Sequence, residues 1–221
     1  MDADTYLALP GAVPAPAIVL LPPIFGIEPL IREMADRWAS RGFVVLAMNQ
    51  FRHDAEPGPI ERTDDGRARA QARGKRADVG LLVDDLRAGI ERLRAMAECN
   101  GKVGVIGFCF GGRYAYIAAA RLPIDAAAGF HPVQIADTLA DAPNVKAPLS
   151  LHFGEDDPLT PKDHVDAVRA ALAGRSDAEI FVYPGATHNF AVPGVPGYYP
   201  AVAALSEERA FTLFDRLKAA R

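Results

Sequence analysis

Cys109 lies midway between two glycines, in Gly107-Phe108-Cys109-Phe110-Gly111, with the apolar run Lys102–Gly107 leading in and a helical pattern starting near Gly112. A side chain at the tip of such a strand–turn–helix elbow is lifted off the sheet and set in front of a helix N-terminus. Glycines two places before and after it let strand and helix pass closely around a strained residue. The free N–H groups of the helix start favour a thiolate and a developing oxyanion alike. The chemistry suggested is nucleophilic attack on a carbonyl carbon. A buried cysteine beside a glycine-rich turn would look the same in isolation, so the reading depends on partners.

A thiol nucleophile needs a base, and the base needs an acid to orient it. Both follow downstream in the order nucleophile, acid, histidine. Asp157 lies in Gly154-Glu155-Asp156-Asp157-Pro158, just after the apolar run Pro148–Phe153. His188 lies in Pro184-Gly185-Ala186-Thr187-His188-Asn189-Phe190, just after the run Glu179–Tyr183. The spacings, 48 residues from Cys109 to Asp157 and 31 on to His188, leave room for the intervening helices and strands. Asp156 is the second choice for the acid, and Asp163 reads as a helix-start charge. Of the other histidines, His152 inside a strand reads as core and His164 as a solvated helix residue. His53 falls in an irregular loop. His131 follows a strand end, where it is expected to line a pocket. No histidine or cysteine pair has metal-ligand spacing, so no metal and no other cofactor is expected.

The elements that must position these residues alternate along the chain. Buried strands are expected at Ala17–Leu21, Phe43–Ala47, Lys102–Gly107, Ala126–Phe130, Pro148–Phe153 and Glu179–Tyr183, with a weaker edge strand at Thr5–Leu9. Helices are expected over Pro29–Arg41, Arg76–Ala97, Gly111–Arg121, Pro161–Ala173 and Ala201–Lys218. Leu30, Ile31, Met34 and Trp38 form the apolar stripe of the first, which makes Trp38 core. This alternation predicts an α/β fold, a mostly parallel central sheet with helices on both faces, as one domain over residues 1–221. Asn49–Gly74 reads as an irregular surface excursion over the C-terminal sheet edge. The six basic residues of Arg62–Arg76 read mainly as a solvated, partly helical face.

Composition narrows the partners. A net charge of −4 argues against nucleic acid. The apolar run Ala15–Phe25 is too short and too proline-broken to span a bilayer. Asp2 and Asp4 precede it where a leader would be basic, so the expected location is the cytoplasm. The two cysteines, Cys99 at a helix end and Cys109 in a turn, are expected to stay reduced. A monomer or small homo-oligomer acting on a small molecule is the expectation.

With these residues in view, the chain resembles the dienelactone hydrolase family, cysteine enzymes of the α/β-hydrolase fold that open an enol-lactone ring. The likeness runs from about Pro14 to the C-terminus. It rests on Ile24-Phe25-Gly26, the elbow through Gly112, Gly154 to Asp157, His188-Asn189-Phe190, and the closing stretch from Gly197-Tyr198-Tyr199 to Ser206-Glu207-Glu208-Arg209-Ala210. The resemblance implies Cys109 as nucleophile, His188 as base and Asp157 as its orienter. It implies an oxyanion hole from the backbone N–H groups of Ile24 and Phe110. Arg67 falls at the family's substrate-carboxylate arginine, with Arg69 the alternative, and Phe25, His131 and Asn189 are further substrate-binding candidates. Phe108, Phe110, Tyr198 and Tyr199 are candidates for an apolar lining.

Two positions depart from the family. Pro23 stands where it has a glutamate that helps generate the thiolate, and Val192 where it has a second basic clamp. Ester or lactone hydrolysis is therefore expected on a substrate other than the family's own. The alternatives are a thioesterase of the same fold and a catalytically silent small-ligand binder.

Overall fold

A computed structural model describes residues 5–219, so Asp2 and Asp4 lie outside the described residues. Six apolar runs form parallel neighbours: β2 (Ala15–Leu21), β3 (Val44–Met48), β4 (Cys99–Phe108), β5 (Ala126–Phe130), β6 (Leu149–Gly154) and β7 (Ala178–Tyr183). The weak N-terminal run is β1 (Thr5–Ala8), an antiparallel edge strand on β3. The sheet order is β1-β3-β2-β4-β5-β6-β7, and β2 to β7 run parallel.

Residues buried on both sides of a sheet need cover on both sides, and the packing divides by strand parity. Val19, Leu21, Val103, Val105, Leu149 and Leu151 pack with α3 (Val79–Ala95), α4 (Phe110–Arg121) and α5 (Lys162–Leu172). Their strand neighbours Ile18, Leu20, Ile106, Phe108 and Phe130 pack on the other face, against α1 (Pro29–Ser40) and α6 (Pro200–Phe214). Trp38 sits in that second core at 1% exposure, stacked on Phe108 and edge-on to Phe211. The architecture is that of an α/β-hydrolase fold.

Two expectations change. The excursion is irregular as far as Thr63, and the face expected to be partly helical is helical throughout Asp64–Arg76, α2, whose N-cap Thr63 accepts a bond from the Gly66 N–H at 3.0 Å. Only Gly66, Ala70 and Arg73 of α2 are buried, so it has almost no apolar stripe to betray it. Cys99 begins β4 instead of ending a helix, because the β2–β4 pairing extends back to Ala15 and Cys99. Among the described residues no helix is long and apolar enough to cross a membrane.

Candidate active site

Cys109 occupies the N-cap position of α4 with φ 54° and ψ −115°, a conformation that L-residues rarely adopt. Its N–H donates to Phe130 O at 2.9 Å, and its carbonyl accepts from Gly112 N at 3.0 Å. The flanking glycines are explained by contact: a Cβ on Gly107 would lie 2.0 Å from Gly111 O, and one on Gly111 would lie 2.4 Å from Leu21 O. Any side chain at either position would drive the strand and helix apart.

The β6 and β7 ends deliver the partners. His188 Nε2 lies 3.2 Å from Cys109 Sγ, and His188 Nδ1 lies 2.8 Å from Asp157 Oδ2. Asp157, 2% exposed, accepts the Leu159 N–H on its other oxygen at 2.9 Å. Asp156 and Asp163 are exposed, so of the three acids considered only Asp157 meets the imidazole. Burial alone would depress His188, but hydrogen bonds to Asp157 and Cys109, and their negative charge, push it up to about 9. An imidazole so placed holds a proton taken from a thiol.

His131 is fully buried, with φ 37°, and its ring meets His188 edge-on at 4.6 Å between centroids. Neither of its ring nitrogens has a hydrogen-bond partner among the described residues. Burial, then the charges of His188 and Arg62, hold it well below the usual histidine range, so it is neutral. Ligating atoms of Cys109, His131 and His188 all lie within 4.8 Å of one another. Sequence spacing carried no hint of this cluster, which only the fold assembles.

Phe110 is the first residue of α4, where N–H groups lack intrahelical acceptors. Ile24 lies in the turn closed by the Gly26 N–H donating to Pro23 O at 3.0 Å. Arg73 holds that turn: its guanidinium, 0% exposed, donates to Ile24 O at 2.6 Å, Gly58 O at 2.6 Å and Glu56 O at 2.9 Å. Burial lowers Arg73 to about 10, which leaves it protonated at neutral pH. It had read as part of a solvated face, and three backbone carbonyls that take its donors explain why it is not.

Other candidates disperse. Arg67 is exposed on α2, while Arg69 pairs with Glu56 and Asp65. Phe25 is buried beneath Arg62, whose guanidinium lies 4.3 Å from the ring centroid and grips Glu28 through two bonds of 2.7 and 2.8 Å. Arg62 was not singled out in sequence, and its charge reaches His131. Asn189 takes φ 65° and its carbonyl accepts the Val192 N–H at 2.9 Å. Val192 is fully buried in the α1/α6 core. Phe108 is core, Phe110 stacks on Phe51, and Tyr198 and Tyr199 are exposed. His53 is exposed and bonds Asp85, and His164 is exposed.

The sequence model of the dienelactone hydrolase family matches residues 3–218. The chain belongs to the dienelactone hydrolase family. It is 32% identical over 213 residues to a carboxymethylenebutenolidase of Pseudomonas putida, covering 94% of this chain and 90% of that protein. Carboxymethylenebutenolidase 1 of Cupriavidus pinatubonensis is 28% identical over 96% of this chain and 91% of its own length. The crystal structure of a putative dienelactone hydrolase from Klebsiella pneumoniae superposes with a TM-score of 0.86, covering 96% of this chain and 92% of that one at 24% identity. The protein is a dienelactone-hydrolase-like hydrolase.

Proposed function

We propose that this hydrolase cleaves a small carboxylic ester or lactone through Cys109, His188 and Asp157. The observation that carries the reading is the continuous line Cys109 Sγ, His188 Nε2, His188 Nδ1, Asp157 Oδ2, with links of 3.2 and 2.8 Å, at a nucleophile elbow. His188 takes the thiol proton, and the thiolate attacks the carbonyl carbon. The oxyanion meets the N–H groups of Phe110 and Ile24, each donor worth ~3–4 kcal/mol in such sites. Collapse expels the alkoxide, which leaves with the proton from His188. Water, deprotonated by His188, then attacks the thioester, and the carboxylic acid departs as Cys109 regains its proton.

Pro23 and Val192 bear on the substrate. Pro23 carries no carboxylate, so generation of the thiolate falls to His188 and the α4 N-terminus. Val192 lies in the core, leaving that position without a cation to hold a substrate carboxylate. Esters and lactones lacking a second carboxylate suit the site better than the family's namesake.

The test is hydrolysis of a short-chain aryl ester by wild type and Cys109→Ala. Turnover that disappears in the variant is expected. Equal slow rates in both proteins would sink the reading and leave a ligand binder.

A further inference from the structure

Three potential metal ligands converge at the elbow, and one of them, His131, has no hydrogen-bond partner on either ring nitrogen among the described residues. His131 has no exposed surface, and both its nitrogens lack partners among the described residues, although a buried polar atom left unpaired ordinarily costs ~1–3 kcal/mol. Acyl transfer as described above requires no second imidazole. The neutral ring nevertheless presents a lone pair beside Cys109 and His188.

We propose that Cys109 Sγ, His131 and His188 Nε2 form an inhibitory zinc site that closes over the nucleophile. One thiolate and two imidazoles are zinc's preferred donors, and three protein ligands leave a fourth position for water. With Zn–S of about 2.3 Å and Zn–N of about 2.0–2.1 Å, tetrahedral geometry sets donors roughly 3.3–3.6 Å apart. The Sγ–Nε2 separation is already 3.2 Å, and all three donors lie within 4.8 Å, so an adjustment on the order of an ångström completes the set. The arrangement also has an outer shell: Asp157 on His188 Nδ1 is the carboxylate–histidine pair that fixes Nε2 toward a metal. Zinc bound there engages the nucleophile and the base together, so attack on a carbonyl stops while it is bound. This inference concerns metal binding and stands whether or not the substrate is an ester.

Equilibrium dialysis of the purified, reduced protein against zinc chloride, with a competing chromophoric chelator, tests it without any turnover. One zinc per chain is expected, with Cys109→Ala abolishing binding and His131→Phe weakening it at least about tenfold. Asp157→Asn is expected to weaken it ~10–100-fold, as loss of an outer-shell partner does elsewhere. Absence of binding in the wild type overturns the proposal. Equal affinity in wild type and His131→Phe overturns it too, by reducing the site to a cysteine–histidine pair. X-ray absorption on the zinc-loaded wild type avoids dependence on the variant's folding: one sulfur and two nitrogens are expected, and a single nitrogen refutes the role of His131.

Discussion

His188 and His152 stand at the ends of opposite design choices, though both are tied at both ring nitrogens. His152, in the middle of β6, meets Ser150 Oγ at 2.6 Å and Tyr183 OH at 2.8 Å and lies between Phe130 and Phe181. Its partners are neutral, so burial, then the charge of Arg209, lowers it to about 3. His188, at a strand end, meets a carboxylate and a thiol and is raised to about 9. The difference teaches that the charge of the partner, more than the depth of burial, decides whether a buried imidazole can take a proton. His131 completes the series as a buried ring with no hydrogen-bond partner among the described residues.

The comparison breaks most decisively in activity. His188→Ala is expected to lower kcat/KM for an aryl ester by at least ~10³-fold, whereas His152→Leu that remains folded should stay within about tenfold of wild type. Comparable losses in steady-state assays of the two would erase the distinction. Asp157→Asn comes next: it keeps an oxygen for the Leu159 N–H but removes the charge, and kcat should fall ~10²–10⁴-fold. Full activity in that variant would free His188 from its acid.

Stability carries the next effect. His152→Leu strands the Ser150 and Tyr183 hydroxyls in the core and should cost at least ~2 kcal/mol in urea unfolding. An unchanged midpoint would mean that the hydroxyls find other partners.

The smallest effect lies in pH dependence, where the two rings act in opposite directions. His188 is raised from 6.5 to about 9, so its contribution is full below 6.5 and is lost as pH rises through 9. His152 is lowered from 6.5 to about 3, so the fold loses stability as pH falls from 6.5 toward 3. The Tm gap between wild type and Asp157→Asn should be widest near pH 6 and close above pH 9. Ring NMR should find His152 silent from pH 5 to 9, with His188 titrating near the top of that range; a His152 midpoint near 6.5 would refute the contrast.

Most of this frame was legible from residue pattern. Parallel strands buried on both faces write long apolar runs, and the elbow writes its glycines at fixed offsets, so β2 to β7 and Cys109 stood out. His188 and Asp157 followed because they lie at strand ends. What escaped were features whose cause is non-local. The extent of α2 is one, since the partly helical face expected over Arg62–Arg76 buries too little apolar surface to set a period, and Thr63 before Asp64 and Asp65 was the cap signal that could have fixed its start. Arg73 looks like its solvated neighbours until three carbonyls arrive from residues 24, 56 and 58. The meeting of His131 with Cys109 and His188 depends on β4 and β5 ending side by side and on the loop after β7 reaching back past β6, which sequence separation hides.

Arg73 has one further consequence. Because Arg73 belongs to α2 and its guanidinium holds the Ile24 carbonyl, the surface arm and the turn that carries the proposed oxyanion donor form one mechanical part. A displacement of α2 away from the sheet would pull on the turn or break these bonds, so the alignment that the proposed function asks of Ile24 is coupled to a seated arm.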